Sequence, residues 1–182
     1  EYVGISENHP ASFKRYLIDR FVSKVNLKAA YLINGERNAD EQIAELTALL
    51  NEKPIDVGLI GIGENAHIAF NDPPADFNDT RAYKVVTLDA RCLKQQIGEG
   101  WFKDEDECFK QAISMTCPQI MKCKTIISVV PYKVKAEAVA NTLKSDKVDN
   151  NVLFAFMRLL PSFTKAIYRS SSACTFTLCF PS

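Results

Sequence analysis

The chain has 182 residues, 47% of them hydrophobic and 24% charged, which is about one domain of ordinary globular composition and excludes a disordered chain, a coiled coil and a collagen-like repeat. Lys and Arg number 22, as do Asp and Glu, so no global basic field recruits nucleic acid or an anionic membrane surface. No apolar run approaches the roughly 18 residues that a spanning helix needs.

From Pro10 onward, Phe13, Leu17, Phe21 and Val25 step by four, with Ile18 and Val22 widening the stripe. That spacing predicts an amphipathic helix, with Asn8 and Pro10 as start signals. Ala29–Ile33 followed by Asn34-Gly35 predicts a strand and turn. Ile43, Leu46, Leu49 and Leu50 predict a second amphipathic helix over 40–51. The continuous apolar run 56–62 predicts a strand buried on both faces. Strands are expected over 84–88, 112–116 and 125–130, the last rich in β-branched residues. Helices are expected over 89–97 (stopped by Gly98), in one or two turns over 118–122, and over 133–144. Alternating strands and helices argue for an α/β fold with a mostly parallel sheet and helices on both faces.

The six cysteines, Cys92, Cys108, Cys117, Cys123, Cys174 and Cys179, form no C-x-x-C pair, and only His9 and His67 could join them. Zinc-ligand spacing is absent. Buried free thiols in a reducing, cytoplasmic compartment are the default. The opening Glu1-Tyr2-Val3-Gly4 has no charged-then-apolar leader and reads as a chain entered part-way. All acidic residues lie at or before Asp149, whereas 151–182 is free of them and rich in Phe and Ser. This shift predicts an α/β domain over 1–150 and an atypical tail over 151–182.

Ligands of parallel sheets sit beyond the C-terminal ends of the strands. The stretch that follows the 56–62 strand holds Gly61, Gly63, Glu64, Asn65, His67 and Asp72. A histidine gives and takes protons near neutral pH, and Asn65 and Asp72 are local candidates to orient it. The glycines would let backbone approach a ligand closely. The plain alternative is a satisfied loop histidine with capping Asn and Asp. Gly61-x-Gly63 lacks the third glycine and the distant acid of a dinucleotide fingerprint. Lys133 and Lys135 after the 125–130 strand are either a phosphate site at a helix start or a solvated pair. His9 reads as a capping or packing residue.

Glu1-Tyr2-Val3-Gly4, His9-Pro10-x-Ser12 and Gly61-x-Gly63-x-x-x-His67-Ile68-Ala69-Phe70-Asn71-x-Pro73 together resemble the glucosamine-6-phosphate deaminase/isomerase family, whose wider group includes 6-phosphogluconolactonases. The resemblance covers about residues 1–150. It implies a Rossmann-like α/β domain, here with its first strand or strands missing. It also implies an enzyme that opens the pyranose ring of a hexosamine 6-phosphate, moves a proton between C2 and C1, and releases ammonia without metal or organic cofactor. The family's acid–base histidine matches His67, its two acidic partners match Asn65 and Asp72, and its phosphate-binding lysine matches Lys135. A homo-oligomer stays open.

The departures are as informative as the match. Asn65 replaces a carboxylate, so it accepts an imidazole N–H without supplying charge. Asp72 is one methylene shorter than the family's Glu. The family's proton-abstracting Asp and phosphate loop fall before Glu1, so 1–182 by itself is expected to be inactive. In the tail, Leu160 stands where the family has a His, and Ser172-Ala173 is a faint echo. A lactonase, a non-catalytic sugar-phosphate binder and an interaction fragment are the alternatives.

Overall fold

The computed structural model describes residues 1–63, 65–130, 133–144, 165–169 and 175–178. It divides into two compact units, Glu1–Leu49 with Tyr83–Ser114 and Leu50–Ala82 with Met115–Ser182.

The first unit holds α1 (Phe13–Arg20), most of α2 (Ala39–Glu52), β2 (Tyr83–Thr87), α3 (Ala90–Gly98) and most of β3 (Gln111–Met115); β1 belongs to the other unit. β2 and β3 form a two-stranded sheet of their own. The opening residues run antiparallel to β3 through a bridge between Tyr2 and Ala112, with Val3 N–H donating to Gln111 O at 2.9 Å. Ser12 is the N-cap of α1, its hydroxyl accepting from Arg15 N–H. The Glu1 carboxylate adds a second cap. It accepts from Ser12 Oγ–H at 2.8 Å and from the N–H groups of Phe13 (3.2 Å) and Lys14 (2.7 Å), a favourable place for negative charge at a helix N-terminus. Asp89 caps α3 in the same way, accepting from Cys92 N–H at 2.7 Å.

Tyr2 is 1% exposed and sits among Phe13, Phe102 and Phe109 at centroid distances of 5.6–5.9 Å. Burial pushes its phenol above the ordinary value. His9 plays the packing role expected of it, stacked on Phe102, with Nδ1 accepting from Ala11 N–H at 3.1 Å. The rest of the α1 stripe differs from expectation. Leu17 is 42% and Phe21 49% exposed, because nothing among the described residues packs over the face beyond Phe13. Ala29–Ile33 also differs: no described strand pairs with it, and without a ladder partner an extended apolar segment is not a strand. The turn after it is built as expected. A Cβ on Gly35 would stand 2.5 Å from Tyr2 O, and the buried Gln42 amide holds Asn34 from both sides, accepting from its N–H at 2.7 Å and donating to its carbonyl at 2.6 Å.

The second unit holds β1 (Val57–Ile60), α4 (Cys117–Ile120), β4 (Thr125–Val130), α5 (Ala136–Lys144), β5 (Lys165–Arg169) and β6 (Thr175–Leu178). Its sheet runs β1-β4-β5-β6, with β1, β4 and β5 parallel and β6 antiparallel to β5. The expected mostly parallel sheet is therefore here, while the 84–88 and 112–116 strands belong to the separate pair. β5 and β6 lie in the tail, where composition offered no strand signal. The remaining tail features, Leu160, Ser172, Ala173, Cys174 and Cys179, lie outside the described residues.

Register puts Gly58, Ile60, Ile126, Ser128 and Val130 on one face of β1 and β4. That face packs on Cys117 and Ile120 of α4, Cys123, and Ala138 and Val139 of α5. Burial pushes the Cys123 thiol up, so it is a packing group rather than a nucleophile. The other face shows Val57 at 51%, Leu59 at 71% and Val129 at 51% exposure. The expectation of burial on both faces thus holds for one face only among the described residues. Thr116 starts α4, accepting from Gln119 N–H (3.3 Å) and donating to Arg81 O (2.7 Å). No described helix is long and apolar enough to cross a membrane.

Candidate active site

β1 and β4 are parallel neighbours, so both release their chains at the same sheet edge. β1 leads into residues 61–72, and β4 leads toward Lys133 and Lys135. Ile62, Ala66 and Ile68 of the first loop share a core with Val130 of β4 and Ala138 and Val139 of α5. Sheet topology therefore brings the two candidate stretches to one end of one unit, where parallel sheets bind ligands.

Three of the four singled-out side chains meet in the first loop. His67 Nδ1 lies 2.6 Å from Asn65 Oδ1, and the same oxygen accepts the His67 backbone N–H at 3.2 Å. Asn65 Nδ2 donates to Asp72 Oδ1 at 3.0 Å. The His67 and Asp72 side chains are 17% and 16% exposed, with Nδ1 and Oδ1 3.7 Å apart. A carboxylate thus stands near the ring although Asn65 carries none.

The backbone that achieves this is unusual. Ala66 has φ 66° and Ala69 φ 53°, left-handed conformations costing an L-residue about 1–2 kcal/mol each. Strain of this kind clusters at functional sites. Gly63 N–H donates to His67 O at 2.9 Å, and Ala66 N–H to Gly63 O at 3.1 Å, closing a tight turn under the histidine. A Cβ on Gly63 would stand 2.0–2.4 Å from Cε1, Nδ1 and Nε2 of His67. The imidazole therefore lies flat on a bare backbone. Gly63 serves the protein's own ring, whereas a Cβ on Gly61 would meet nothing within 4 Å.

Sequence reasoning also gave no role to Asn71. It is 5% exposed, and its Nδ2 donates to Ile68 O (2.9 Å) and Met115 O (2.8 Å). It pins the far end of the loop to the residue that ends β3.

Lys133 and Lys135 do not lie in the first α-helical turn. They form a separate 3-10 turn that feeds α5, whose own first turn carries Glu137. Lys133 is exposed and Lys135 half-buried. No hydrogen bond or ion pair joins Lys135 to the His67 cluster among the described residues. Those residues also contain no group of three or more His, Cys, Asp or Glu able to hold a metal ion. Glu64 lies outside them.

No family model matches the chain. It is 34% identical over 165 residues to a glucosamine-6-phosphate deaminase of Listeria monocytogenes serotype 4a (strain HCC23), spanning 90% of this chain and 68% of that one. Against a glucosamine-6-phosphate deaminase of Oenococcus oeni (strain ATCC BAA-331 / PSU-1), identity is 30% over 174 residues, spanning 95% and 72%. Among solved structures, a monomeric glucosamine-6-phosphate deaminase of the NagB superfamily superposes with a TM-score of 0.81 at 26% identity, over 95% of this chain and 70% of that one. A 6-phosphogluconolactonase from Thermotoga maritima superposes with a TM-score of 0.66 at 10% identity, over 93% and 69%, a likeness of fold alone.

Proposed function

The chain belongs to the glucosamine-6-phosphate deaminase family, and from that premise we propose that it contributes the ring-opening step on a hexosamine 6-phosphate through His67, with Asn65 and Asp72 orienting the imidazole and Lys135 holding the phosphate, while the later deamination needs the proton-abstracting Asp of the longer protein. The observation that supports this most is the shared edge. The loop bearing the hydrogen-bonded Asn65, His67 and Asp72 and the turn bearing Lys135 leave adjacent parallel strands at the same end and pack into one core.

The chemistry fits an imidazole. Ring opening removes the proton from O1 as the C1–O5 bond breaks. The bonding pair leaves with O5, which takes a proton back from the ring, and C1=O1 remains as an aldehyde. One group that both accepts and donates near neutrality serves both transfers. In the open chain a proton moves from C2 to C1, nitrogen leaves as ammonia, water supplies the C2 oxygen, and fructose 6-phosphate results. These steps move protons and exchange nitrogen for oxygen without net electron transfer, so they require no redox cofactor. A lysine at the entry to α5 offers a point charge to the phosphate.

Ring opening has a readout of its own, because opening and reclosure exchange the α and β anomers. Magnetization-transfer NMR on glucosamine 6-phosphate should show faster anomer exchange with the protein and loss of that acceleration in His67→Gln. Unchanged exchange with wild type, or equal acceleration by His67→Gln, would overturn the assignment. Faster hydrolysis of 6-phosphogluconolactone than turnover of any hexosamine 6-phosphate would move the chain to the lactonase side.

A further inference from the structure

We propose that Gly61 is a substrate-contacting residue that sets specificity: its bare backbone is the surface on which the sugar body of a hexosamine 6-phosphate lies. The fold itself does not need this glycine. The chain has seven glycines, and the others answer to their own backbone or neighbours. Gly4 and Gly100 adopt φ 88° and 79°, where an L side chain is strained. A Cβ on Gly35 would stand 2.5 Å from Tyr2 O, one on Gly58 2.9 Å from Cys123 Sγ, and one on Gly63 2.0–2.4 Å from the His67 ring. Gly98 ends α3. None of these reasons applies to Gly61. Its φ lies outside the left-handed region, it is exposed, and an added Cβ would meet no atom within 4 Å. Directly after β1, glycine carries its full entropy cost and brings no packing in return.

The place of Gly61 supplies the missing reason. It stands where β1 releases the chain, at the edge where parallel sheets bind ligands. Two residues of chain span at most about 7 Å, so the Gly61 Cα lies within that distance of the Gly63 Cα, over which the imidazole rests. A pyranose with its hydroxyls covers such a distance. A sugar whose C1–O5 bond reaches His67 and whose body turns toward β1 therefore lies over Gly61. A bare peptide lets a ligand approach the backbone more closely than any side chain allows. The open space above it is room that the protein leaves for something other than itself.

The inference rests on the hexosamine 6-phosphate reading for the identity of the ligand. The test is titration calorimetry of glucosamine 6-phosphate and of inorganic phosphate with wild type, Gly61→Ala and Gly61→Val. Urea denaturation and ¹⁵N NMR of histidine-labelled protein without ligand accompany it. Both variants should keep the His67 ring shifts and a urea midpoint no lower than that of wild type, because the added side chain starts in open space. Affinity for glucosamine 6-phosphate should fall about tenfold in Gly61→Ala and about a hundredfold in Gly61→Val, while inorganic phosphate binds all three alike. Variants that bind the sugar phosphate as tightly as wild type would overturn the proposal, as would an equal loss for inorganic phosphate. A lowered midpoint or altered ring shifts would give Gly61 a reason inside the fold and overturn it too. A wild type that binds no hexosamine 6-phosphate would sink the underlying reading and this contact together, whereas unchanged binding by the variants sinks the contact alone.

Discussion

Gly63→Ala puts the seat of the imidazole to a direct trial. The added methyl would sit 2.0–2.4 Å from three ring atoms, whereas ordinary contact begins near 3.4 Å, so the ring must move by more than an ångström. Two routes are open. If the ring stays and the loop deforms, overpacking costs about 1–3 kcal/mol. If the ring swings out, which its 17% exposure permits, the cost is about 1 kcal/mol for the lost hydrogen bond between Nδ1 and Asn65. Stability should therefore fall by about 1–3 kcal/mol, read from urea denaturation. On either route the ring shifts relative to the rest of the loop, and if His67 acts on the sugar as proposed, a displacement of this size costs on the order of 10²-fold in rate. Anomer exchange should collapse and the His67 ring ¹⁵N shifts should change. Gly61→Ala is the matched control, since its methyl meets nothing within 4 Å and should leave the histidine spectrum unchanged. A Gly63→Ala protein that keeps the wild-type spectrum and exchange rate would refute the reasoning.

Ala69→Gly removes a side chain from an exposed left-handed position at φ 53°. It should raise stability by about 0.5–1 kcal/mol, because the relieved strain of about 1–2 kcal/mol exceeds the added unfolded-state entropy. A fall in the urea midpoint would show that Ala69 is not strained. Lys135→Met should weaken binding of glucosamine 6-phosphate by about tenfold, or about 1.4 kcal/mol. It should leave the weak binding of glucosamine untouched, as titration calorimetry would read. An equal loss for both sugars would place Lys135 away from the phosphate.

The second unit was legible where local pattern and burial agree. Thr125–Val130 is β-branched, alternates in burial and pairs on both sides, so its propensity and its place in the sheet point the same way. The misreadings share one physical cause, that periodicity reports which face is apolar but not what covers it. Leu17, Phe21, Val57 and Leu59 carry the expected pattern yet stand exposed. Ala29–Ile33 has strand composition but no ladder partner. In the opposite direction, β5 and β6 form inside a stretch whose composition signals only a change of character, because pairing with β4 supplies what local sequence does not.

At the site, residue types were legible and their division of labour was not. A histidine two residues after an asparagine and five before an aspartate suggests that either neighbour orients the ring. Spacing cannot say that one oxygen takes both the backbone N–H and Nδ1 while the amide nitrogen reaches the acid. That arrangement depends on Ala66 adopting φ 66°, a conformation that no propensity scale assigns to alanine. The loop is held there by what surrounds it: Asn71 pinned to Met115 O, Ala66 and Ile68 packed against Val130 and α5, and a glycine under the ring. A residue's chemistry is written in the sequence, but its protonation geometry is set by contacts that only the folded unit makes. For this reason the replacement of an acid by Asn65, read from sequence alone, looked like a loss of charge. In the fold a carboxyl group, that of Asp72, stands 3.7 Å from Nδ1, tied to the ring through the Asn65 amide.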